Sequence, residues 1–125
     1  MTPSLKSLKG VLETAAAKVG LPPWFMAGHA DKESSLNPKA VSAPGSTGRR
    51  AYGLLQLNLD TFKALMPQGD PMNPLHNLGA GGTYLRQLQA KFGTTELALA
   101  AYNWGPSRVS KLTAKLGNDF ERIKA

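Results

Sequence analysis

The stretch Pro22-Pro23-Trp24-Phe25-Met26-Ala27-Gly28-His29-Ala30-Asp31-Lys32-Glu33-Ser34-Ser35-Leu36-Asn37-Pro38 reads as one helix with both ends marked. The two prolines suit its opening, where a missing N–H removes no hydrogen bond. Asn37-Pro38 ends it, and the spacing predicts a helix to about Ser35. Phe25, Met26, His29 and Ala30 share one face with Glu33, at steps of three and four residues. A carboxyl on such a face is expected to be partly desolvated, which favours its proton-donating form. Such a group suits general acid catalysis, although a surface glutamate with apolar neighbours would show the same pattern. Asp31 lies about 200° away around the helix and is expected in solvent beside Lys32.

Helical spacing continues on both sides. Leu5, Leu8, Leu12, Ala15, Ala16 and Val19 form a stripe from Ser4 to Val19, and Gly20 stops it. A short helix is predicted over 59–66 with Asn58 or Asp60 as its cap, followed by a turn over 68–72. Asn73-Pro74 opens a longer one, whose stripe Leu75, Leu78, Gly82, Leu85, Leu88, Phe92 ends at Gly93. Thr94 or Thr95 caps a helix over 96–103, closed by Gly105-Pro106. Two short basic helices, broken near Gly117, complete the chain. Between them, residues 38–52 read as an exposed loop, and a small strand pair is expected beside 52–57. The fold class is mainly α, with at most a minor β element.

The chain has 125 residues, 42% hydrophobic and 18% charged, without repeats or an interdomain linker. That fits one domain, residues 1–125, within the usual range of roughly 100–150. It has no cysteine, which excludes disulfides, a thiol nucleophile and thiolate-bound metals. With only His29 and His76, no metal site is expected, and no cofactor is implied. No apolar run approaches the ~18–20 residues of a membrane span. Residues 1–20 lack the apolar core of a secretory signal. Fifteen Lys and Arg against eight Asp and Glu give a formal charge of +7, which attracts polyanions, either nucleic acid or an anionic bacterial envelope.

Three blocks then follow in order. They are Glu33-Ser34-Ser35-Leu36-Asn37-Pro38 with Ala40-Val41-Ser42, Gly53-Leu54-Leu55-Gln56, and Ala100-Ala101-Tyr102-Asn103-Trp104-Gly105-Pro106-Ser107-Arg108-Val109. Together they resemble the signatures of the lysozyme-like lytic transglycosylases (the soluble SLT domain of family 1). Those signatures run approximately E-S-x-[FWL]-N-P-x-A-x-S, G-L-M-Q and A-Y-N-x-G-P-x-x-V. Tyr84-Leu85 adds a G-x-x-Y-L-like segment, and the likeness covers about 21–109.

The resemblance implies a single lysozyme-like helical domain, related to goose-type lysozyme, that cleaves the β-1,4 MurNAc–GlcNAc bond of peptidoglycan. It implies that Glu33 is the acid/base and that Ser42 orients the reacting sugar hydroxyl. Gly53 would admit close approach of backbone and sugar, and Gln56 would line the cleft. Tyr102 would face the catalytic carboxyl, with Asn103 supporting the same wall and Ser34 structural. Leu55 replaces the family's Met and is carried over as a cleft position, although Leu54 and Leu55 read more as core than as sugar contacts. Trp104 replaces a small residue and reads more as packing than as a sugar-stacking face. The segment from Ser42 to Gly53 is longer than in the family and carries Arg49 and Arg50.

Ordinary glycosidases use two carboxyls. The matched blocks contain only Glu33, and Asp60 and Asp70 lie outside them. The substrate's C6 hydroxyl and acetamido oxygen would then supply the missing groups, leaving 1,6-anhydroMurNAc ends. A hydrolytic muramidase on the same fold is the alternative, and an inactive wall- or DNA-binding module is the remaining one. The expected partner is the glycan strand, with an anionic envelope surface as a candidate and no nucleic acid. A monomer acting in the periplasm is expected, phage-encoded or virion-associated.

Overall fold

The computed structural model describes residues 5–45, 48–117 and 120–124. Ser4, where the first stripe begins, and Ser46 and Thr47 of the loop lie outside them. The described residues form α1 (Leu5–Val19), α2 (Pro23–Ser34), β1 (Ala51–Tyr52), β2 (Leu57–Asn58), α3 (Leu59–Leu65), α4 (Pro74–Phe92), α5 (Thr95–Trp104), α6 (Pro106–Leu116) and α7 (Phe120–Lys124). The mainly helical reading and its minor β element are both borne out. None of these helices is long and apolar enough to cross a membrane.

The chain divides into two compact units, Met1–Thr83 and Tyr84–Ala125, with the division inside α4. In the first, α1 packs on α2 and buries Leu8, Leu12, Ala15 and Ala16. Full burial of a leucine contributes about 1.5–3 kcal/mol. Gly82 of α4 lets the helix approach this pair closely, since a Cβ there would stand 2.9 Å from Val19 Cγ2 and 3.0 Å from Met26 Cε. Phe62, Leu78, Leu54 and Leu55 are also fully enclosed. Asn58 Oδ1 accepts from Thr61 N–H at 2.9 Å, so Asn58, not Asp60, caps α3.

Asn73 caps α4, its Oδ1 accepting from the N–H groups of Leu75 (3.0 Å) and His76 (3.2 Å). In the second unit α5 packs on α6, and α6 on α7. Thr94 Oγ1 accepts from Leu97 N–H at 3.1 Å and starts α5. Leu97, Ala98, Ala100 and Ala101 of α5, and Val109 of α6, are buried.

Candidate active site

Glu33 stands in the last turn of α2. The helix ends at Ser34, just short of the expected boundary, because Ser35 (φ 53°) and Leu36 (φ 61°) both turn left-handed. Ser35 N–H donates to Asp31 O at 2.8 Å, satisfying a terminal carbonyl. The chain therefore leaves the helix two residues after Glu33, ahead of Asn37-Pro38. Asp31 and Lys32 are exposed, as expected.

The Glu33 side chain is 15% exposed, consistent with the expected partial desolvation, and its Oε1 lies 3.5 Å from Nε2 of His29 (5% exposed). The face is thus less apolar than its composition suggests, since a buried imidazole adjoins the carboxyl. His29 adjoins Phe25 with ring centroids 6.5 Å apart. Phe25 meets Trp24 edge-on at 6.0 Å, and the Trp24 indole is open to solvent. Ser34 Oγ donates to Ala30 O at 3.0 Å, a bond within the helix.

The second block is a turn joining β1 to β2, which pair antiparallel as Ala51↔Asn58 and Tyr52↔Leu57. The preceding strand-like residues close over it. Val41 bridges Tyr52, and Ser42 N–H donates to Ala51 O while Gly53 N–H donates to Ala40 O. Ser42 Oγ accepts from Ala51 N–H at 2.8 Å and donates to Ala43 O at 2.9 Å. A hydroxyl has one hydrogen and two lone pairs, so one accepting position remains.

Gln56 is held in the left-handed region (φ 51°). Its Nε2 donates to Ala40 O (3.1 Å) and Gly53 O (2.9 Å). Two carbonyl neighbours require the nitrogen on that side, which leaves Oε1 as the amide's remaining polar atom.

Beneath this turn sits a residue that the sequence reading passed over. Asn77, on α4 and 0% exposed, accepts from Leu55 N–H at 2.7 Å and donates to Tyr52 O (2.9 Å) and Pro71 O (3.0 Å). One buried carboxamide ties three segments together. The only hint in the sequence is a polar side chain beside Leu78, on the stripe that turns inward.

Asn77 also corrects the reason for Gly53. That residue is buried, with φ 79°, and a Cβ would run into the Asn77 amide and the Pro71 carbonyl. The close approach it permits is to protein rather than to sugar. Leu55, carried over as a cleft position, is core at 1% exposure, as its reading favoured, and offers no side-chain surface to a ligand.

Ser42 and Gln56 line one depression of about 330 Å³, together with Gly45, Arg49, Arg50 and Asn58. All three non-glycine residues with positive φ, among the described residues, lie in the first two blocks: Ser35, Leu36 and Gln56. Strained backbone of this kind concentrates at functional sites.

In the second unit, Tyr102 of α5 is half-buried, its ring 5.4 Å from that of Tyr84. Burial pushes the Tyr84 phenol above its ordinary value. Asn103 is exposed, and its Nδ2 donates to Leu99 O at 3.0 Å, within its own helix. Trp104 is 41% exposed, so it is not the buried anchor that packing would require. Among the described residues, no group of three His, Cys, Asp or Glu side chains converges as a metal site would.

The family model for the transglycosylase SLT domain matches residues 10–122. The chain is 33% identical over 96 residues to the transglycosylase of Enterobacteria phage PRD1, covering 77% of this chain and 34% of that protein. It is 30% identical over 115 residues to the soluble lytic murein transglycosylase of Escherichia coli K12, covering 84% and 17%. Its structure resembles the crystal structure of the 70 kDa soluble lytic transglycosylase of Escherichia coli, with TM-score 0.70 and 26% identity over 84% of this chain and 18% of that one. The chain spans about a third of the phage relative and less than a fifth of the bacterial ones.

Proposed function

The chain belongs to the transglycosylase SLT domain family, and on that footing we propose that it cleaves the β-1,4 bond between N-acetylmuramic acid and N-acetylglucosamine in peptidoglycan, with Glu33 as acid and then base. The observation that carries this reading is the setting of Glu33. Its side chain is largely enclosed, 15% exposed, in the last turn of α2, separated by one residue from the left-handed pair Ser35 and Leu36.

The chemistry needs one proton moved twice. Glu33 protonates the glycosidic oxygen as the bond to the anomeric carbon breaks, and the N-acetylglucosamine leaves as an alcohol. The substrate's acetamido oxygen stabilises the positive charge that develops. Glu33, now a carboxylate, takes the proton of the C6 hydroxyl while that oxygen attacks the same anomeric carbon. A 1,6-anhydro ring closes, Glu33 is restored and no water is consumed. An attacking group tethered to the same ring has a large effective concentration, which favours this route over capture of water.

Around that step, the remaining lone pair of Ser42 accepts from the C6 hydroxyl, and Gln56 Oε1 accepts from a sugar N–H or O–H. Gly53 and Leu55 act indirectly, through the packing that holds Gln56. Tyr102 and Asn103 contribute to the glycan-binding wall. The relative in phage PRD1 supports a phage-encoded enzyme acting at the bacterial wall.

The test combines a variant with a product analysis. Glu33→Gln should lower the release of muropeptides by about 10²–10⁴-fold with thermal unfolding unchanged. Digestion in water enriched in heavy oxygen should leave the new ends unlabelled and one water lighter than lysozyme products. A loss of only twofold removes Glu33 from the role, and label in most product ends makes the enzyme a muramidase.

A further inference from the structure

The depression that holds Ser42 and Gln56 is also lined by two adjacent arginines, and they are not equivalent. Arg49 Nη1 lies 3.1 Å from Asp60 Oδ2, so its charge is balanced at the surface. Arg50 has no such balance: among the described residues, no carboxylate pairs with it. Its Nη1 donates instead to the carbonyl of Ser42 at 3.0 Å. That bond fixes the guanidinium plane against the backbone of the residue assigned above to the C6 hydroxyl. A guanidinium carries five N–H donors in a rigid fork. With one Nη1 hydrogen on Ser42, the Nε and Nη2 edge keeps two parallel donors, the arrangement that takes a carboxylate in bidentate fashion.

N-acetylmuramic acid carries a carboxyl-bearing arm on the same ring as its C6 hydroxyl. This is the 3-O-lactyl group, which ends in its own acid or continues into a stem peptide with further carboxylates. A cation anchored to Ser42 is therefore matched to the charged substituent of the sugar whose hydroxyl Ser42 would orient. We propose that Arg50 is a specificity-determining residue that binds a carboxylate of this lactyl or stem-peptide arm; the inference rests on the peptidoglycan reading above.

Arg50 is exposed, and its side chain can be truncated without opening the core. The full chain and its Arg50→Ala variant are compared on sacculi free of wall teichoic acid, reading kcat, KM and, with Glu33→Gln also present, co-sedimentation. Lys111→Ala removes an exposed charge on α6 and serves as the control. Arg50→Ala should raise KM and weaken co-sedimentation by about tenfold, with kcat and the control variant within about twofold of the parent.

Converting the carboxylates of the sacculi to amides should bring the parent chain down to the level of Arg50→Ala and leave that variant unchanged. On strands stripped of stem peptides by an amidase, a persisting difference assigns the lactyl acid and a vanished one the stem. Either result supports the proposal. Equal KM on native sacculi and on stripped strands alike, or an advantage of Arg50 that survives amidation, overturns it. Absence of any product from the parent chain would overturn the peptidoglycan reading itself, a separate readout from the Arg50 comparison.

Discussion

Replacing Asn77 by alanine tests whether the turn that carries Gln56 is held from below. The carboxamide is 0% exposed and serves one N–H and two carbonyls, those of Leu55, Tyr52 and Pro71. Asn77→Ala removes that partner from all three, the Leu55 amide in a buried place and the two carbonyls in partly buried ones. Each lost bond costs about 1–3 kcal/mol, the amide more than a carbonyl that keeps a second lone pair. A total of about 3–5 kcal/mol lowers the melting temperature by roughly 10–20 °C for a chain of this size.

Asn77→Asp sharpens the test. It keeps the acceptor for Leu55 but sets a carboxylate oxygen against two carbonyls, so it should be at least as damaging at neutral pH. It should recover in part on acidification, when the new carboxyl can donate a proton. Thermal melts followed by circular dichroism give the stability. Hydrogen exchange at the Leu55 amide reports the contact directly, and its protection should fall by orders of magnitude. A melting temperature within about 3 °C of the parent, or unchanged protection at Leu55, would refute the reasoning.

Gly53→Ala forces a Cβ into the Asn77 amide and Pro71 carbonyl at φ 79° and should cost about 2–5 kcal/mol in urea unfolding. Gly93→Ala, at φ 84° with open space around its Cβ, should cost only about 1–2; equal losses would show that the contacts at Gly53 do not matter. Burial raises the Tyr84 phenol, so above about pH 10 the folded chain holds a proton that the unfolded chain releases. Stability complete below that pH is therefore lost as the pH rises through the folded value. Tyr84→Phe should flatten that decline, and an identical slope in both proteins would remove Tyr84 as its cause.

The helices were legible because their ends are chemical. Asn58, Asn73 and Thr94 cap where short acceptors should, and the prolines at 22, 23, 74 and 106 stand where a missing N–H removes no bond. The stripes at 8, 12, 15 and 16, and at 78, 85, 88 and 92, turned inward. The enclosed setting of Glu33, 15% exposed, was legible from its helix face. What escaped the sequence depends on contacts distant along the chain. Nothing near position 77 says that its amide will meet residues 52, 55 and 71. The reason for Gly53 is hidden with it, since the space it vacates belongs to that same amide. The end of α2 also differs, because Ser35 and Leu36 adopt a conformation that propensity assigns to glycine or asparagine.

Those left-handed residues have a bearing on anyone who would harden this protein for use. Ser35, Leu36 and Gln56 each cost roughly 1–2 kcal/mol against a relaxed backbone, which sums to a sizeable part of the ~5–15 kcal/mol by which a domain stays folded. A search for stabilising substitutions would be drawn to these positions first, because glycine or asparagine there relieves the tension. The same relief would loosen the bends that end α2 just past Glu33 and set the backbone of Gln56. Thermostability selected without an activity screen should therefore accumulate at positions 35, 36 and 56, and each gain should lower turnover.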